Sequence, residues 1–117
     1  MRHRRVRLEL RFAAPFAAGL SGLYRVVHGD EVYAFTQMEP IDARRAFPCW
    51  DEPSFKFPYQ MRLIVPAGHD AVSNTPVESR RADDGWTTYA FARTRPLPSY
   101  LIALATGPLD TVEMPGL

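Results

Sequence analysis

The chain has one cysteine, three scattered histidines and no long apolar run, and each shortage closes off a class of function. A single thiol, Cys49, cannot form an intrachain disulfide and fits a reducing compartment, so a cytoplasmic location is the expectation. His3, His28 and His69 lie in different segments and none is followed by glutamate; with one cysteine beside them, no zinc-ligand spacing can be built. No stretch approaches the roughly 18 apolar residues of a membrane span, and the N-terminus lacks the apolar centre of a signal peptide. Neither sign of charge dominates: 14 Lys and Arg against 13 Asp and Glu leave a net charge of +1, which gives no general pull toward nucleic acid. Cys49 between Pro48 and Trp50 has no histidine near it in sequence, so a structural thiol outweighs a nucleophile.

Proline, by contrast, is abundant. Eleven prolines in 117 residues cut the chain into short pieces and argue against long helices. With 46% hydrophobic and 23% charged residues the composition is that of one globular domain. Within the pieces, apolar and polar residues alternate with a period of two, the signature of half-buried strands. Residues 5–12 alternate Val6, Leu8, Leu10 and Phe12 with arginines. No aromatic interleaves on that basic side, so it reads as the solvated face of a strand rather than a phosphate-binding arm. Residues 23–27 and 31–37 flank a tight turn at Gly29 and Asp30, which predicts a hairpin. Residues 57–65 and 86–93 predict two further strands, the latter with aromatics on both sides and so packed on both. Residues 100–105 predict a central strand, and residues 109–114 the start of another. A short helical turn is expected over residues 41–46, with Pro40 suited to lead into its first turn. The pattern predicts an all-β, mostly antiparallel sandwich with one short helical turn. Its sequence opens in mid-strand and stops as a strand begins, so an incomplete domain is expected.

Gln37 and Glu39 fall on the same side of the strand as Tyr33 and Phe35, where the aromatic face runs out into two polar groups. Two readings stand on these residues alone: a solvated strand end, or a rim that captures a cation. A carboxylate about 4 Å from an ammonium is worth roughly 4 kcal/mol at an effective dielectric of 20. That suffices for recognition and supplies no catalysis. The residues that follow, Asp42, Arg44, Arg45, Asp51 and Glu52, are read as structural: one of the arginines pairs with Asp42, Asp51 or Glu52 to lock the segment, and the adjacent acids read as a turn- or cap-forming Asp51 and an arginine-paired Glu52. Phe47 and Trp50 are expected to plug the segment from beneath.

The block Thr36-Gln-Met-Glu-Pro40 followed by Asp42-Ala-Arg-Arg-Ala-Phe-Pro-Cys-Trp-Asp-Glu-Pro53 resembles the N-terminal domain of gluzincin zinc aminopeptidases. That family includes aminopeptidase N, puromycin-sensitive aminopeptidase and the leukotriene hydrolases. Leu20-Ser-Gly-Leu-Tyr-Arg25, Leu63-Ile-Val-Pro66, Val72-Ser-Asn-Thr-Pro-Val77 and Pro98-Ser-Tyr-Leu-Ile-Ala103 extend the similarity over most of the chain, in order. The resemblance implies a saddle-like β domain that packs on a catalytic domain of the same protein and handles the N-terminus of a peptide substrate. It assigns Glu39 to the α-ammonium and Gln37 to the first side-chain pocket, with Met38 between them. The family's H-E-x-x-H helix, its later glutamate, its G-A-M-E-N loop and its tyrosine are not in this sequence. Zinc is therefore expected in the parent's catalytic domain, with no cofactor held here. The competing expectation is a free-standing β-sandwich that binds a partner without peptidase activity.

Overall fold

The computed structural model describes residues 4–115. Two antiparallel sheets carry the chain. The first has four strands in the order β1 (Gly22–His28), β2 (Glu31–Gln37), β7 (Leu104–Gly107) and β4 (Asp70–Ser73). The second has three, in the order β3 (Arg62–Pro66), β6 (Trp86–Phe91) and β5 (Val77–Asp83). A four-residue helical turn, α1 (Ala43–Ala46), and a single 3-10 turn over Ser99–Leu101 are the helical elements among the described residues. The all-β, antiparallel expectation holds.

β1 and β2 form the hairpin that alternation predicted, in register from Gly22 opposite Gln37 to His28 opposite Glu31. Its two-residue turn starts at Gly29, whose φ of +62° is open to glycine at little cost and to few other residues. β7 then pairs with β2 on one side and β4 on the other, so the last strand of the chain is central in its sheet. It begins later than the apolar run suggests. Asn74 accepts from the Ala103 amide at 2.9 Å and donates to the Leu101 carbonyl at 2.8 Å, holding residues 99–103 in a turn before the ladder begins.

The core lies where the sheets meet: Val65, Tyr89 and Phe91 from the three-stranded sheet and Ala71 from the other, with Met61 and Leu63 packed against them. β6 buries Thr87, Tyr89 and Phe91 along one face. Its other face leaves Trp86 54% exposed, so this strand is not packed on both sides as its sequence suggested.

Three further expectations are corrected. Residues 5–12 form no strand, because alternation becomes a strand only beside another strand's amides, and no described residue supplies them. The start of a strand expected in residues 109–114 is likewise absent from the described fold. In residues 57–65 only β3 is regular. Phe57 exchanges hydrogen bonds with Leu97 (3.1 and 2.8 Å), but Pro58 and Pro96 lack the N–H groups a continuous ladder needs. β5, conversely, was given no sign by its sequence: every residue is exposed, as a charged edge strand permits.

Candidate functional site

Pro40 has no N–H to continue the β2 ladder, and the strand ends at Gln37. Gln37 lies opposite Gly22 and is exposed. The next side chain, Met38, is 3% exposed and turns inward to an apolar cavity of about 750 Å³ shared with Leu23, Phe47, Ile102 and Leu104. Glu39 is exposed again, and its peptide bond to Pro40 is cis. The structure thus brings Gln37 and Glu39 to the surface at the end of one strand and sends Met38 into the interior as their anchor. Beneath the rim, Phe35 stacks on Tyr33 at 6.2 Å and meets Tyr24 of β1 at 6.1 Å, so the strand leading to it has a stiff aromatic side. Among the described residues, nothing forms an ion pair with Glu39. Its carboxylate is open to a cationic ligand.

The segment after Pro40 is tied down by directed bonds. The Asp42 amide donates to the Met38 carbonyl at 2.8 Å, closing the turn that carries Glu39. Arg45 meets Asp42 at 3.3 Å. Arg44 donates through Nε to Asp51 Oδ2 at 2.6 Å and through Nη2 to the Asp51 carbonyl at 3.2 Å. The other Asp51 oxygen accepts from the Ser99 hydroxyl, and Ser99 is 1% exposed. Desolvation pushes the Asp51 carboxyl up, but the Ser99 and Arg44 bonds outweigh it and hold the group below the ordinary carboxylate value. Glu52 takes no arginine among the described residues. The expected lock of an arginine on a nearby carboxylate is present twice, on Asp51 and on Asp42. Of the two adjacent acids it is Asp51 and not Glu52 that takes the arginine, because Asp51 points back at α1 while Glu52 is exposed and contributes a carbonyl to the Phe55 amide at 2.9 Å. Trp50 is corrected too: it is 62% exposed and meets Phe57 edge-on at 6.4 Å, leaving Phe47, edge-on to Tyr59, as the more buried of the pair.

Two anchors were invisible in the sequence. Thr36, beside Gln37, accepts from the Leu104 amide through Oγ1 at 3.0 Å, and Ser99 lies 48 positions from its partner Asp51. No short-range pattern marks either one. Cys49 lies in the cavity wall, and burial, followed by the nearby Asp51 charge, pushes its thiol up, away from the reactive thiolate. Among the described residues no three or more His, Cys, Asp or Glu come together, and His3 lies outside them. No helix among the described residues is long and apolar enough to cross a membrane.

Comparison with known proteins gives this rim its context. The chain is 37% identical over 110 residues to glutamyl aminopeptidase of Sus scrofa, covering 90% of this chain and 12% of that protein. It is 39% identical over 110 residues to aminopeptidase M1-A of Oryza sativa subsp. japonica, covering 91% and 12%. Aminopeptidase Ey of Gallus gallus is 36% identical over 110 residues, covering 87% and 11%. The chain thus spans about an eighth of the length of these relatives. Residues 1–101 match the Peptidase M1 N-terminal domain, and the chain belongs to that family.

Proposed function

We propose that this chain is the substrate-recognising part of a zinc-dependent aminopeptidase, in which Glu39 receives the α-ammonium of a peptide and Gln37 lines the pocket for its first side chain. The observation that carries this reading is the exposed Gln37 and Glu39 pair at the end of β2, straddling the buried Met38. A carboxylate with no partner among the described residues, just past the end of a strand, is suited to hold a cation. The family match and the aminopeptidase relatives support an N-terminal amine as that cation.

The chemical step lies outside these residues. The metal and its ligands are assigned to a catalytic domain of the same protein, where zinc supplies an activated water. What this chain does is bind and orient. Its partners are that domain and the substrate N-terminus, and by itself it is expected to retain no stoichiometric zinc after dialysis and to hydrolyse no aminoacyl substrate.

The test is Glu39→Ala in the full-length gene product, assayed on substrates with a free α-amine. Loss of the ammonium contact is expected to lower kcat/KM by about 10- to 100-fold. An unchanged kcat/KM sinks the reading.

A further inference from the structure

Because no described residue pairs with the Glu39 carboxylate, the fold acts on it only through the backbone that carries it. That backbone is held at both ends, and the two holds connect. Thr36, on the N-terminal side, is bound to Leu104 through Oγ1. On the C-terminal side the Met38 carbonyl takes the Asp42 amide, α1 follows, and Arg44 reaches Asp51. Asp51 then takes the Ser99 hydroxyl, and the Ser99 carbonyl accepts from the Ile102 amide, two residues before Leu104. The circuit closes on itself around residues 37–39. Its ionised link is the Arg44–Asp51 pair, in which Asp51 binds a partner with each carboxylate oxygen.

We propose that Asp51, held between Arg44 and Ser99, is a positioning residue that places the Glu39 carboxylate for the substrate amine. This rests on the reading of Glu39 as the ammonium acceptor. A recognition group must be held within roughly 0.5 Å of its productive place, and a side chain without partners of its own depends on its frame for that. Charge-assisted bonds are the strong links in such a frame. Replacing Asp51 with asparagine removes the charge while keeping the shape, and an amide has one acceptor oxygen where the carboxylate has two. The frame loosens at a point far from Glu39 in sequence, and the loss falls on ligands that carry an amine.

The test uses the full-length enzyme and two product inhibitors: the amino acid it releases fastest, and the carboxylic acid lacking that α-amine. Asp51→Asn is expected to weaken the amine-bearing inhibitor about 3- to 10-fold and to leave the des-amino acid within about 2-fold. Combining it with Glu39→Ala is expected to add almost nothing to the loss caused by Glu39→Ala alone, since both act through one carboxylate. If Asp51→Asn does not fold, Ser99→Ala gives the same comparison with the Arg44–Asp51 pair intact. Equal weakening of both inhibitors by these variants overturns the positioning role and leaves Glu39 as the acceptor. A Glu39→Ala enzyme that loses no preference for the amine overturns the underlying reading and the positioning role with it.

Discussion

The two sheets share backbone ladders but differ in what their side chains contribute. The three-stranded sheet supplies Val65, Tyr89 and Phe91, three of the four residues in the buried cluster, so it carries most of the apolar packing, with Tyr89 also donating to the His69 carbonyl at 3.1 Å. The four-stranded sheet contributes Ala71 to that cluster and carries the Gln37 and Glu39 rim. Around it, side chains make directed bonds to distant backbone: Thr36 to Leu104, Ser73 to the Ala103 carbonyl at 2.7 Å, and Asn74 to Leu101 and Ala103. Packing is non-directional and rewards burial wherever it occurs. Hydrogen bonds specify distance and angle. The three-stranded sheet supplies most of the buried cluster, and directed bonds around the four-stranded sheet fix where the end of β2 sits.

The strongest way to break this contrast is to empty the core. Phe91 is 1% exposed, and Phe91→Ala is expected to cost about 3–5 kcal/mol, read as a fall in the urea midpoint. A cost below about 1 kcal/mol would mean that the three-stranded sheet is not the packing centre. Next comes Gly107, at the end of β7 in the other sheet, with φ at +144° and a Cβ position only 2.5 Å from Tyr33 Cδ1. Gly107→Ala is expected to cost about 1–3 kcal/mol through backbone strain and crowding of Tyr33. Because Tyr33 stacks on Phe35, two residues from Gln37, the change should also disturb the rim. A wild-type midpoint would show that β7 tolerates what its geometry forbids.

The smallest effect sharpens the contrast by pH. Asp51 is held below its unfolded carboxyl value of about 3.9, so its contribution is complete above that value and is lost as pH falls through the lower folded one. Acid titration of stability is expected to show a loss below about pH 4 that Asp51→Asn reduces. Phe91→Ala, acting through packing, should lower the whole curve and leave its acid limb unchanged. An acid limb identical in Asp51→Asn and wild type would remove Asp51 from the linkage.

How much of this was legible depended on range. The β1–β2 hairpin was readable because its signal is local: alternation on both sides of Gly29 and Asp30. The apolar face of β6 was readable for the same reason, though Trp86 misled, because period two tells which residues share a face and not whether that face is covered. Residues 5–12 had the same alternation and made no strand, since pairing depends on a neighbour that the pattern does not contain. β5 failed in the opposite sense. With Glu78, Arg80 and Arg81 all exposed, it has no apolar period, and its register on β6 defines it. At the rim, Gln37 and Glu39 stood out because a proline follows them. That Asp51 and not Glu52 takes the arginine required knowing where Ser99 lies, and that is a property of the folded chain.

The bond from Thr36 to Leu104 spans 68 positions. A ribosome adding about 5–20 residues per second takes roughly 3–14 seconds to cover that distance. During synthesis the carboxylate of Glu39 is therefore present for seconds before the strand that frames it has been made, and a nascent chain halted in that interval has the carboxylate without its address.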